Sequence, residues 1–97
     1  MRLKDNEIAA IRTTVEDHFG RGSAIWLFGS ALDDHAIGGD VDLYIEPTAP
    51  LVDNLLLARQ ACGRELERRL KRPVDVVVRR GSPTAFMCQA MAEGHRL

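Results

Sequence analysis

The stretch LFGSALDDHAIGGDVDLYIEP, Leu27 to Pro47, decides how the chain is read. It places two acids, Asp40 and Asp42, at alternate positions around Val41 to Ile45, a run with the composition of a buried strand. Core strands avoid aspartate, because a buried carboxylate loses hydration and needs pairing, hydrogen bonds or a cation in return. Side chains alternate faces along a strand, so Val41, Leu43 and Ile45 point one way and Asp40, Asp42 and Tyr44 the other. The two acids then share a face, with alpha carbons about 6.6 Å apart, and their oxygens can converge on one ion.

Upstream, Ala24 to Phe28 (AIWLF) is short, apolar and bounded by glycines, which reads as a first buried strand. Gly29-Ser30 follows it, where a glycine lets backbone approach a ligand and a turn can aim amides and a hydroxyl at phosphate oxygens. Nine residues, Ala31 to Gly39, separate this turn from Asp40. Gly38-Gly39 reads as a tight turn into the strand, and His35 as a solvated loop histidine. Downstream, PVDVVV, Pro73 to Val78, is a third strand in which Asp75 is the one polar residue. A neighbouring strand would put Asp75 beside the pair. Three carboxylates that close repel by roughly 3–4 kcal/mol per pair at an effective dielectric near 20, so a cation is expected to offset them. Oxygen-only donors in a shallow site suit magnesium, which retains water and phosphate oxygens in its shell.

Helices connect these strands. Ile8, Ile11, Val15 and Phe19 recur at helical spacing between Asn6 and Phe19, with Asp5 or Asn6 as N-cap and Gly20 as the stop. Leu51, Leu55, Ala58, Cys62, Leu66 and Leu70 mark one face of a long helix that starts after Pro50 and ends before Pro73, with Arg59, Arg64, Glu67 and Arg68 on solvated faces. Thr84 to Ala92 makes a last helix closed by Gly94. The expected architecture is α/β (α+β): one domain, residues 1–97, with helices packed on a small mixed sheet. Trp26 is expected in the core, and Tyr44 either lines the acidic pocket or packs there.

Length and charge narrow the function. Ninety-seven residues, 45% hydrophobic and 28% charged, suffice for one modest core and leave no second domain to hold an acceptor. Thirteen basic and fourteen acidic residues give a net charge of −1, which argues against strong autonomous binding to nucleic acid. No apolar run approaches the roughly 20 residues of a membrane helix, and MRLKDNE lacks the apolar core of a signal peptide, so a cytoplasmic location is expected. Cys62 and Cys88 show no ligand spacing and read as reduced thiols buried on helices.

Phe28-Gly29-Ser30, nine residues, then Asp40-Val41-Asp42 with apolar residues following, resembles the signature of the DNA polymerase beta-type nucleotidyltransferases, with Asp75 in the position of the third acid. The length and the ending QAMAEGHRL are similar to the minimal nucleotidyltransferases (MNT) paired with HEPN-domain proteins in toxin–antitoxin modules. The resemblance spans nearly the whole chain. It implies the polymerase beta-like fold, Gly29 and Ser30 binding the triphosphate of ATP, and Asp40, Asp42 and Asp75 as catalytic residues that hold two magnesium ions. It further implies transfer of AMP to a hydroxyl of a HEPN toxin. One departure stands out: many relatives carry arginine directly after the Gly-Ser, where this chain has Ala31, and Arg79 or Arg80 would have to substitute. The competing expectation is an antitoxin that blocks its partner by contact, without catalysis.

Overall fold

The computed structural model describes residues 3–32, 39–48 and 53–97. Helix α1 (Asp5–Phe19) leads into strand β1 (Ala24–Phe28) and a 3₁₀ turn (Gly29–Leu32); then come β2 (Val41–Glu46), α2 (Leu55–Leu70), β3 (Val74–Val78), α3 (Ala85–Glu93) and β4 (His95–Arg96). The sheet order is β3-β2-β1-β4. β1 runs antiparallel to both β2 and β4, whereas β2 and β3 are parallel, as the helical crossover through α2 requires. Helices on a mixed sheet are the expected class.

The 3.6-residue and two-residue periodicities meet on one side of the sheet. Ile11, Val15 and Phe19 of α1 and Cys62, Leu66 and Leu70 of α2 close over Ile25, Leu27, Val41, Leu43, Ile45, Val76 and Val78, all nearly inaccessible to solvent. Ile8, Leu55 and Ala58 pack at the margin of this core, and Leu51 lies outside the described residues. Helix α2 therefore starts at Leu55, later than the expected start after Pro50, because the Asn54 side chain accepts the Leu57 amide proton at 3.0 Å and sets the first turn. At α1 the cap is Lys4 rather than Asp5 or Asn6. Its backbone N–H donates to Glu7 Oε1 at 3.0 Å, so a carboxylate in the first turn supplies what the cap side chain does not.

The opposite face of the sheet is only partly roofed, by α3. Phe86 meets Phe28 edge-on, with ring centroids 5.4 Å apart. Trp26 stacks at a tilt on Tyr44, 5.6 Å between centroids, and the Arg96 guanidinium lies 5.0 Å from the Trp26 ring centre. Tyr44 is fully buried there and donates its hydroxyl to Glu46 Oε2 at 3.0 Å; burial and that bond push its pKa up to about 12. Trp26, expected in the main core, belongs instead to this second layer and is partly exposed. Cys62 is buried, with burial lifting its thiol pKa to about 12, while Cys88, also expected inside, is exposed.

β3 forms one edge of the sheet, and α2 covers part of it. The Val74 N–H donates to Glu67 Oε2 at 3.1 Å, and Arg59 donates to the Val76 carbonyl at 3.4 Å. β4 was not read from the sequence. It pairs with Trp26 and Leu27, and the Leu97 N–H donates to the Ile25 carbonyl at 2.9 Å.

Candidate active site

Parallel pairing of β2 and β3 sets Asp42 opposite Asp75, so two acids far apart in sequence become neighbours on one face of the sheet. Asp42 is half-buried, while Asp75 and Asp40 are exposed, Asp40 lying just before β2 begins. Burial, and then the charges of Asp75 and Asp40, raise the pKa of Asp42 above the usual carboxylate value. The innermost acid is thus the one whose charge its surroundings oppose.

Gly29 stands at the end of β1, directly across from this carboxylate. Its φ is +78°, a backbone region that L side chains rarely adopt. A methyl group built on it would run into Asp42 Oδ2 and lie 3.3 Å from Asp42 Cγ. Glycine is therefore required twice here, for the turn and for the space the acid occupies. Ser30 follows within the same 3₁₀ turn. The segment 33–38, with His35 and Gly38, lies outside the described residues.

The donor chemistry fits magnesium. The acids supply hard oxygens only, and a cation would relieve what raises the Asp42 pKa. Among the described residues no three of His, Cys, Asp and Glu stand close enough to hold one metal ion, so the structure pairs Asp42 with Asp75 but does not bring Asp40, Asp42 and Asp75 together around one point as the sequence led us to expect.

Two arginines read as solvated from the sequence also border this region. Arg59 and Arg64 line a groove of about 340 Å³ along the outer edge of β3, which Asp75 shares with Gln60 and Glu67. Helical periodicity put them on the outer faces of α2 but could not say which strand they would overhang. Arg79, a suggested substitute for the absent arginine after Ser30, is 3.7 Å from Glu46. Among the described residues no helix is long and apolar enough to cross a membrane.

No protein-family model and no curated protein sequence matches the chain. Solved structures do. A toxin–antitoxin crystal structure with AMP-PNP is similar at 26% identity and a TM-score of 0.70, covering 97% of this chain and 72% of the other. A complex of tri-AMPylated Shewanella oneidensis HEPN toxin with MNT antitoxin is similar at 27% identity and a TM-score of 0.66, over 94% of this chain and 67% of the other. A mutant MntA toxin–antitoxin complex, with two aspartates two positions apart changed to glutamate, is similar at 25% identity and a TM-score of 0.70, over 97% and 71%. By this likeness the chain has the fold of an MNT-type nucleotidyltransferase domain, the family that its Gly-Ser and Asp-Val-Asp motifs resemble.

Proposed function

We propose that this chain is a single minimal nucleotidyltransferase domain that uses ATP and magnesium to place AMP on a hydroxyl of a HEPN-type toxin, and so acts as an antitoxin. The observation that carries the reading is the registry of Asp42 against Asp75 beside the unobstructed backbone of Gly29. Support also comes from neighbours bound to AMP-PNP or to an AMPylated HEPN toxin, and from one altered at two aspartates with the spacing of Asp40 and Asp42.

In this reading Gly29 and Ser30 receive the triphosphate, and Asp40 and Asp42 hold two magnesium ions, with Asp75 completing the second site. Magnesium, when bound, would neutralise phosphate charge and make the acceptor hydroxyl more acidic. The chain's own contribution is placement. Gly29 keeps side-chain atoms out of the phosphate path, and Asp42 sits at the centre with its charge already disfavoured by burial and by its neighbours. Asp75, on the outer strand, takes the proton as the acceptor oxygen bonds to the α-phosphorus. The bond from that phosphorus to the bridging oxygen breaks, and pyrophosphate leaves. The acceptor comes from the β3 side, where Arg59 and Arg64 flank Asp75.

A second reading, inhibition by contact alone, is favoured by one feature: Ala31 stands where an arginine would grip phosphate, and Arg79 is engaged with Glu46. Incubating the chain with labelled ATP, magnesium and the HEPN protein encoded beside it decides between the two. An AMP adduct on the toxin, lost in Asp42→Asn, supports transfer. Neutralisation of the toxin without any adduct supports contact.

A further inference from the structure

We infer that the seam between α2 and β3 is the groove on which the acceptor protein docks, and that its arginines select an acceptor segment carrying acidic side chains close to the hydroxyl that receives AMP. This rests on the nucleotidyltransferase reading above and adds the chemistry of the acceptor to it. The groove of about 340 Å³ beside Asp75 reaches Arg59, and Arg59 also lines a second hollow of about 120 Å³ with Leu55, Leu56, Val78 and Arg80. The two follow β3 from one end to the other. Asp75 and Arg80 are five residues apart on nearly extended chain, about 16 Å, so a segment of several residues fits along them.

Charge marks the occupant. Arg59, Arg64 and Arg80 form no ion pair among the described residues, whereas Arg68 and Arg69 pair with Glu65, Arg72 with Glu7 and Arg79 with Glu46. In a chain whose acids and bases nearly balance, three guanidiniums left over line this one seam. Of the two acids beside them, Glu67 is taken up by the Val74 amide and Asp75 is assigned to metal. Arg59 donates to the Val76 carbonyl, which anchors its head at the strand edge and leaves further N–H groups to grip a carboxylate.

A protein segment fits this lining better than a nucleic-acid strand. At the Arg80 end Leu56, 54% exposed, stands beside Leu55 and Val78, which suits an apolar side chain and offers nothing to a phosphate backbone. At the other end Glu67 and Asp75 would repel successive phosphates, while a peptide can present acids opposite the arginines alone. Arg80, a sequence candidate for gripping phosphate, stands at the far end of β3 from Gly29, whose neighbour Asp42 pairs with Asp75. Its place is on the acceptor side.

The test is AMP transfer to the HEPN protein encoded beside the chain, with direct titration of that protein in the absence of nucleotide. The variants are Arg64→Glu, Arg80→Glu and, as a control on an outer face of α2, Arg68→Glu; all three side chains are exposed, so the fold is kept. Docking in the seam predicts that Arg64→Glu and Arg80→Glu each weaken toxin binding and raise its KM about tenfold or more, with ATP affinity within about twofold, and that Arg68→Glu changes neither. Rising salt should weaken toxin binding by wild type more than by either seam variant. Wild-type toxin binding in both Arg64→Glu and Arg80→Glu overturns the proposal, as does an equal loss in Arg68→Glu. Competition by a single-stranded RNA oligonucleotide, lost in the same two variants, would assign the seam to nucleic acid and overturn it too. Toxin binding that depends on Arg64 and Arg80, with no AMP adduct even in wild type, would remove the transfer reading and uphold the seam as the docking site.

Discussion

Gly29 and Asp42 share one volume: the space that a side chain on the glycine would fill is the space in which the aspartate carboxylate lies. Gly29→Ala should therefore act twice. The positive φ adds strain of about 1–2 kcal/mol, which thermal unfolding reads, and the methyl displaces the Asp42 carboxylate. ATP affinity should fall at least tenfold in the folded variant, and Gly29→Val should be worse. Unchanged affinity in a folded Gly29→Val protein would detach the turn from the site.

Replacing Asp40 and Asp42 together with asparagine should raise the unfolding temperature in metal-free buffer while ending magnesium-dependent nucleotide binding. Burial and neighbouring acids already disfavour the Asp42 charge, so removing it relieves the fold. A double variant less stable than wild type would mean that these acids serve structure.

Asp75 separates binding from chemistry. Asp75→Asn should lower the transfer rate by about a hundredfold or more, the scale of a lost proton acceptor, with ATP affinity within about twofold of wild type. Growth rescue of toxin-expressing cells, read beside mass spectrometry of the toxin, checks it. Full rescue with no adduct, in wild type as well, would favour contact inhibition.

The course of this site through the sequence explains how much of it could be read. Alternation alone placed Val41, Leu43 and Ile45 in the core and the acids on the other face, and the lone polar residue of PVDVVV marked Asp75 as a neighbour of Asp42. These are local patterns that one strand dictates. Burial of Tyr44 under α3, the Trp26 layer and the Phe28–Phe86 contact depend on where a helix lands after a crossover, which no period encodes. β4 is two residues long, too short to show any period, and its pairing rests on the close approach at Gly94.

That approach is testable. A methyl on Gly94 would collide with the Ala90 carbonyl oxygen and lie 2.8 Å from that of Leu27, although the backbone conformation itself suits any residue. Gly94→Ala should cost about 1–3 kcal/mol in denaturant unfolding and speed hydrogen exchange at the Leu97 amide, which bonds to Ile25. Retained protection there would show that α3 shifts without releasing β4.

Glu7 and Arg72 join α1 to the turn after α2 at 2.7 Å, with side chains 15% and 20% exposed. Burial works to raise the Glu7 pKa, but the Lys4 amide and the Arg72 guanidinium outweigh it and hold the carboxyl below its ordinary value of 4.5. A depressed folded-state pKa contributes stability that is complete above the unfolded value and is lost as pH falls through the folded one. Glu7→Gln should accordingly cost about 1–2 kcal/mol at pH 7 and progressively less below pH 4.5. Denaturant melts at pH 7 and pH 3 check it; an equal deficit at both would mean that shape, and not charge, makes the contact.

The side chains that α2 lays along β3 bear on how copies of this chain behave when crowded. A bare sheet edge is a template on which another extended segment can zip, the usual route to runaway association. Here an incoming strand would have to evict Glu67 from the Val74 amide and Arg59 from the Val76 carbonyl before its first bonds could form. Folded copies that collide along this flank therefore meet a guarded margin at Val74 and Val76, where side chains must give way before the sheet can lengthen.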